Sequence, residues 1–150
     1  MIGYIYVTWT TDGFVYVGQH RKQKFDTTYF GSGVRLKKKQ IMSCRLIDTA
    51  HRFDELDHKE QFWIDKYRER YGDKCLNLGR VTKCKQGLVF VHKRTNVVVV
   101  GLAEMKYIYK TSRDELRRIV KGQTEPKNGF YPDDWEILSY EEYDTRSLII

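Results

Sequence analysis

The chain has 150 residues, 41% of them hydrophobic and 14% aromatic, which is enough for a packed core and excludes a disordered protein. The net charge is +7, and residues 79–131 hold 12 Lys and Arg against 4 Asp and Glu, which favours a polyanionic partner such as nucleic acid. The three cysteines are odd in number and lack the spacing of metal ligands, so neither a disulfide framework nor a zinc site is indicated. The lack of a long apolar run predicts a cytoplasmic protein with no membrane partner.

The first predicted element is a β-hairpin. Residues 4–9 and 14–17 are rich in aromatic and β-branched side chains, and Thr11-Asp12-Gly13 between them is a strong turn signal. Strand packing alone would make Tyr6 and Tyr16 half-buried aromatics. That interpretation explains the strands but gives the tyrosines no function.

The next segment is predicted to be a loop followed by a helix. Residues 21–33 are polar, basic and punctuated by Gly31-Ser32-Gly33, which is typical of a loop. From residue 34 to about 50, the spacing of apolar positions fits a helix whose wet side carries the basic residues. The apolar positions are Leu36, Ile41, Cys44 and Ile47.

A clearer helix is predicted from about residue 55 to residue 71, ending at Gly72. Its apolar side chains recur every three or four residues, and Glu60 falls on the same stripe. Because burying an ionised carboxylate is unfavourable without a cation or hydrogen-bond donors, Glu60 is either a residue at the helix edge, paired or reaching out to solvent, or a metal ligand. Asn77, in the KCLNLG segment that follows, has the ordinary interpretation of a turn residue.

The basic section predicts a second hairpin and two short helices. Apolar runs at 88–91 and 97–100 flank a polar turn, and Ser112 and Glu115 form a capping-box pattern at the start of the second helix. That helix has a basic outer face and Gly122 at its end, which is typical of a helix-turn-helix, although solvated basic faces are also common. The acidic tail from residue 131 predicts a final strand and a frayed end.

The paired tyrosine strands resemble a known motif. Tyr4-Ile5-Tyr6 and Tyr16-Val17-Gly18 are similar to the two tripeptides that name the GIY-YIG endonucleases, particularly those of the phage homing endonucleases. The first is imperfect, with Tyr4 in place of the family's glycine and Gly3 one place earlier. Four further segments occur in the family's order: GQH, YFGSG, EQFWIDKY and CLNL. The resemblance covers residues 3–78.

The resemblance implies a role for each matching residue. Tyr6 and Tyr16 match the catalytic tyrosines, Glu60 matches the metal-binding glutamate, and Asn77 matches an asparagine that shapes the site. The family's catalytic arginine has no match, because Asp26 occupies its place. Its role would pass to His20, Arg21 or Lys22 directly after the strand, or to Arg35, with the order of preference Arg21, Arg35, His20.

The resemblance also implies the reaction. One Mg²⁺, or Mn²⁺ in its place, would be held by Glu60, waters and a phosphate oxygen during hydrolysis of a phosphodiester. A tyrosine with a pKa of about 10 is a poor base, so Tyr6 would need a nearby cation or would only position the water, while Tyr16 orients water or phosphate. One site cuts one strand, so a double-strand break requires a transient homodimer on the DNA, sequential nicks or rebinding.

Residues 88–131 resemble, more loosely, the small DNA-binding repeat modules attached to homing nucleases. The basic face of the second helix would then contact DNA through Arg113, Arg117, Arg118 and Lys121. The predicted phosphate contacts, which give affinity without base readout, are Lys83, Lys85, Lys93 and Arg94.

Together these features predict an α+β protein. Residues 1–78 would form a GIY-YIG catalytic domain with a short antiparallel sheet flanked by helices, and residues 79–150 a DNA-binding module with an acidic tail. The protein would be a metal-dependent endonuclease of double-stranded DNA, in the host cytoplasm if phage-encoded. The alternatives are a non-catalytic DNA-binding protein such as a repressor or decayed nuclease, a structural protein whose tyrosines are only core, and a nuclease for RNA or branched DNA.

Overall fold

The computed structural model describes residues 1–79 and 87–149, and the chain forms two compact units, Met1–Cys84 and Lys85–Ile150. Across the described residues the fold is α+β, with two three-stranded antiparallel sheets and four α-helices. None of the helices in the described part is long and apolar enough to cross a bilayer. The division into catalytic and DNA-binding domains stays a prediction.

The first unit is built on a sheet with β1 at its centre, in the order β2-β1-β3. Its strands are β1 (Gly3–Thr10), β2 (Val15–His20) and β3 (Ile41–Ala50). The predicted hairpin is confirmed, and its turn is closed by Thr10, whose hydroxyl donates to the Asp12 carboxylate at 2.5 Å and accepts the Phe14 N–H at 2.9 Å. The central strand is almost wholly buried, and both of its edges are paired.

The prediction of a helix from residue 34 to about residue 50 is wrong. Ile41–Ala50 is strand β3, which pairs antiparallel with all of β1, and residues 34–39 form turns. β1 needs this partner, because its second edge would otherwise leave buried N–H and C=O groups without hydrogen bonds. The register skips Met42 and Ile47 in β3, and such bulges interrupt the alternation that would have marked a strand in the sequence.

Helix α1 (Phe53–Tyr71) packs on this sheet, and the predicted helix is confirmed. Leu56 and Ile64 are buried, and the Trp63 indole N–H donates to the Asp48 carboxylate of β3 at 3.0 Å. The helix ends at Gly72, which has a φ of +53° and begins a 3₁₀ turn, Gly72–Lys74. After the turn, Cys75 pairs in parallel with Val15, so the chain runs along the free edge of β2.

The second unit has a sheet in the order β5-β4-β6, covered by two short helices. The strands are β4 (Leu88–His92), β5 (Val98–Val100) and β6 (Trp135–Ser139), and the helices are α2 (Leu102–Tyr109) and α3 (Arg113–Val120). The predicted hairpin and helix pair are confirmed, as is the cap in which the Ser112 hydroxyl accepts the Glu115 N–H at 3.1 Å. The buried core of this unit is Phe90, Val99, Met105, Leu116, Ile119, Phe130 and Trp135.

The acidic tail contains the predicted strand, β6, but its predicted frayed end is wrong. Residues Tyr140–Ile149 form helix α4. The Ser139 hydroxyl accepts the Glu142 N–H at 3.1 Å, and the Glu142 carboxylate accepts the Ser139 N–H at 3.0 Å. This reciprocal capping box starts the helix, and its pattern is visible in the sequence.

Candidate active site

Tyr6 and Tyr16 lie side by side on one face of the first sheet. Tyr6 is opposite Gly18 and Tyr16 is opposite Thr8, so the antiparallel register places both tyrosines on the same face in neighbouring strands. Their ring centroids are 6.4 Å apart. Tyr6 is buried, whereas Tyr16 is partly exposed, so Tyr16 is the one of the two that faces outward.

Three glycines make room for these rings. A Cβ on Gly18 would meet the hydroxyl of Tyr6, and one on Gly33 would lie 2.5 Å from Cε2 of Tyr16. Gly31 has a φ of +124°, and a Cβ added to it would lie 2.9 Å from Cε1, on the other edge of the Tyr16 ring. The YFGSG segment is therefore the wall against which Tyr16 packs.

Glu60 on α1 approaches the tyrosine cluster from the helix side. Its Oε2 atom is buried, and no described residue forms a hydrogen bond with it. Burial raises the pKa of Glu60 to about 7, an effect that a hydrogen bond with Gln19 and the charge of Arg21 oppose and that the charge of Asp57 reinforces. The burial of this carboxylate agrees with the position of Glu60 on the apolar stripe of the helix.

The two tyrosines are neutral phenols near neutral pH. Burial, with the nearby Glu60 and Tyr29 adding to it, raises the pKa of Tyr16 to about 12. Burial also raises the pKa of Tyr6 far above its ordinary value, and a hydrogen bond with Tyr29 acts in the same direction. Tyr6 and Tyr16 can therefore donate and accept hydrogen bonds, but neither is available as a phenolate base.

The three cations preferred for the arginine role lie in different surroundings. Arg21 follows β2, and its charge lowers the pKa of Glu60. The His20 ring stacks on Tyr29 with centroids 4.2 Å apart, and its Nε2 lies 3.8 Å from the Asp26 carboxylate. Arg35 is exposed and lines a depression at the turn between β1 and β2. The electrostatics favour Arg21, in agreement with the order of preference from the sequence.

Asn77 fastens the edge of β2. Its amide oxygen accepts the Val17 N–H at 3.0 Å, and its amide nitrogen donates to the Val17 carbonyl at 2.6 Å. The Arg68 guanidinium in turn donates to the Asn77 carbonyl at 3.0 Å. Because Val17 follows Tyr16 directly, Asn77 is a positioning residue for the tyrosine strand.

Replacing Asn77 with alanine should lower the free energy of unfolding by about 2 to 6 kcal/mol, since it orphans two backbone groups of the buried Val17 and each such group costs about 1 to 3 kcal/mol. Urea denaturation of the full chain measures this. Asn77→Asp keeps the acceptor but loses the donor, so it should also be destabilised. An Asn77→Ala variant as stable as the wild type would contradict the role of Asn77 in holding the edge of β2.

The donor set of the cluster fits one hard cation and not a multi-carboxylate centre. Within residues 1–79 and 87–149, no group of three or more His, Cys, Asp or Glu side chains could hold a metal. The buried Glu60 oxygen with no hydrogen bond from a described residue is the place where a cation would be accepted. Mg²⁺ is commonly bound by one or two carboxylates and retained waters, so Glu60 alone is sufficient on the protein side.

Those residues predicted to contact DNA that the structure describes lie on exposed surfaces of the second unit. Lys93 and Arg94 occupy the turn between β4 and β5. Arg113, Arg117 and Arg118 on α3 and Lys121 at its C-terminal cap are exposed, with Arg117 paired to Asp114 and Arg118 paired to Glu115, both at 3.0 Å. Lys83 and Lys85 lie outside the described residues.

Two members of the cluster were missed from the sequence. Tyr29 contacts Tyr6 at 5.7 Å between ring centroids and also stacks on His20. Gln19 hydrogen-bonds Glu60 and donates to the Asp57 carboxylate at 2.8 Å. Both lie in the segments GQH and YFGSG, which carried the family resemblance without showing which of their side chains belong to the site.

Comparison of the chain with protein-family models, curated proteins and solved structures found no match.

Proposed function

We propose that this protein is a metal-dependent DNA endonuclease of the GIY-YIG type, which hydrolyses phosphodiester bonds. The observation that carries the proposal is the convergence of Tyr6, Tyr16 and Glu60 from three separate elements, with one Glu60 oxygen buried and without a hydrogen bond from the described residues. Hydroxyl donors, a carboxylate and a guanidinium in one place are the groups that phosphodiester hydrolysis requires.

Each side chain of the cluster has a role that its surroundings support. Tyr16, partly exposed and neutral, orients the attacking water or a phosphate oxygen by hydrogen bonding. Tyr6 is buried and hydrogen-bonds Tyr29, so it acts as a positioning residue and not as the base. Arg21 would donate two N–H groups to the equatorial oxygens of the transition state.

Glu60 would hold the Mg²⁺ ion. When bound, the ion supplies Lewis-acid polarisation of a phosphoryl oxygen. Gln19 keeps the Glu60 carboxylate in place through its link to Asp57 on the preceding turn of α1. Asn77 holds the strand that carries Tyr16, so it contributes through geometry and not through contact with the substrate.

We assign DNA binding to the second unit on the strength of its surface charge. A depression of about 750 Å³ at the junction of α2 and α3 is lined by Lys106, Lys110 and Arg113 together with the exposed Tyr107 and Ile108. Cations interleaved with exposed aromatic and apolar side chains suit phosphates and bases respectively. Arg117 and Arg118 already have carboxylate partners on α3, so the α2 side of the pair has more positive charge to offer.

A non-catalytic DNA-binding protein is the second candidate. The observation that favours it is Asp26, which stands where the family has its arginine and which directs its backbone N–H to the Tyr4 hydroxyl at 3.1 Å. A decayed nuclease would keep the cationic surfaces and lose cleavage.

Replacing Tyr16 with phenylalanine should reduce cleavage of supercoiled plasmid by about 10²-fold, since removing one transition-state hydrogen bond typically costs about 10² to 10³ in rate. The matched control is Tyr67→Phe, which removes the same oxygen from a tyrosine of α1 that packs near Trp9. Nicking is followed with and without Mg²⁺. Wild-type cleavage by Tyr16→Phe would reject the site, and DNA binding without cleavage by the wild type would favour the second candidate.

A further inference from the structure

A depression of about 630 Å³ lies at the turn between β1 and β2 of the first unit. Phe14 from the turn lines it together with Arg35, Lys38 and Lys39, which follow the GSG segment. Lys74, from the 3₁₀ turn after α1, also reaches the Phe14 ring. These five residues are called the basic depression below.

Two of the four cations of the basic depression lie against an aromatic ring. The Lys39 ammonium lies 3.7 Å and the Lys74 ammonium 4.3 Å from the centroid of Phe14. Attraction to a ring face holds an ammonium group without neutralising its charge. Only Lys39 has a carboxylate at hand, Asp12 at 2.8 Å, which leaves an excess of positive charge among the described residues that line the depression.

The cations of the basic depression favour a polyanionic ligand. Like charges held close together repel, and a ligand with several negative charges along its length relieves that repulsion at several points at once. The cations come from two segments of the chain, residues 35–39 and the turn Gly72–Lys74, so their convergence is a product of the fold and not of a charged run alone. Lys and Arg side chains arranged in this way are the usual contacts to nucleic-acid phosphates.

The position of the basic depression connects it to the tyrosine cluster. Phe14 is two residues before Tyr16 on the same hairpin, and Leu76 in the wall precedes Asn77, the residue that fastens β2. We propose that the basic depression binds the phosphate backbone of the DNA duplex whose scissile phosphate lies at the tyrosine cluster. Arg35 then holds the substrate and is not the replacement for the family's arginine. This inference rests on the proposed function and deepens it.

The test is the salt dependence of DNA binding by the full chain carrying Glu60→Gln, which prevents cleavage. In that background, Lys38→Ala with Lys74→Ala should lower the slope of log affinity against log salt by about two, because each phosphate contact contributes about 0.9. The matched control is Lys66→Ala with Arg70→Ala, which removes the same charge from α1. Lys66 and Arg70 also lie near aromatic rings, 5.5 Å from Phe62 and 5.6 Å from Tyr71.

Several results would overturn the inference. They are an unchanged slope in the Lys38 and Lys74 variant, an equal loss in the control, a parent protein without salt-dependent binding, and a poly-glutamate peptide that competes as well as the duplex. The inference and the nuclease proposal fail separately. Salt-dependent binding as expected, together with a wild type that cuts no DNA, rejects the nuclease and with it the scissile phosphate at the tyrosine cluster, but not phosphate binding by the basic depression. Cleavage by the wild type with an unchanged slope rejects only the basic depression.

Discussion

Glu60→Gln should abolish metal-dependent cleavage, reducing the rate of plasmid nicking by about 10³-fold or more. The expected size follows because a Lewis-acid ion stabilises the transition state by several kcal/mol and each 1.36 kcal/mol is a factor of ten. Glutamine keeps the shape of the side chain but removes the charge that holds the ion. The matched control is Glu69→Gln, which removes the same charge from an exposed position of α1 and should leave the rate unchanged.

The same variant has a second measurable effect that does not depend on activity. Burial raises the pKa of Glu60 from 4.5 to about 7, so between these values the folded protein binds this proton more tightly than the unfolded chain. The free energy of unfolding therefore falls as pH rises through that window. Without metal, Glu60→Gln should melt higher than the wild type above pH 7, and the difference should shrink as pH falls toward 4.5.

Added Mg²⁺ should then raise the melting temperature of the wild type above pH 7 and leave Glu60→Gln unchanged, because only a ligand bound to the folded state stabilises it. Cleavage by Glu60→Gln at the wild-type rate would reject Glu60 as the metal ligand. A melting temperature that responds to Mg²⁺ equally in both proteins would place the ion elsewhere.

The parts of the fold that the sequence predicted correctly are those with a strong local signal. Helix α1 has its three-and-four spacing and Gly72, and both hairpins have polar turns between apolar runs. Strand β3 lacks such a signal, since its bulges break the alternation and its pairing with β1 is a long-range contact. The spacing of Leu36, Ile41, Cys44 and Ile47 matches a helical period, but these residues lie in turns and in β3.

The same difference between local signals and long-range contacts applies to the candidate site. Tyr6, Tyr16 and Glu60 could be named because motifs mark their positions, but their proximity depends on the register of β1 with β2 and on the packing of α1. The hydrogen bonds from Asn77 to Val17 span 60 residues, which no local pattern describes. Gln19 and Tyr29 were missed for the same reason, because their partners are fixed only when the sheet and its covering loop are folded.

Gly18→Ala should destabilise the first unit by about 1 to 3 kcal/mol, the usual cost of overpacking a core, and should also abolish cleavage. A Cβ at this position would overlap the Tyr6 hydroxyl and lie 2.5 Å from Cζ of the same ring. Tyr6 is buried, with Tyr16 and Tyr29 on its sides, so the ring cannot turn away into solvent. The displacement would therefore pass to the two tyrosines around it.

A double-mutant cycle with Tyr6→Phe tests whether this contact is the cause. Phenylalanine removes the hydroxyl, which is the atom nearest to the added Cβ, so the combined variant should be more stable than the sum of the single effects by about 1 kcal/mol. Gly13→Ala serves as the control, because Gly13 has a φ of +86° and open space around its Cβ, and its effect should simply add to that of Tyr6→Phe. Additive free energies of unfolding for Gly18→Ala and Tyr6→Phe would show that Gly18 is needed for some reason other than room for the tyrosine.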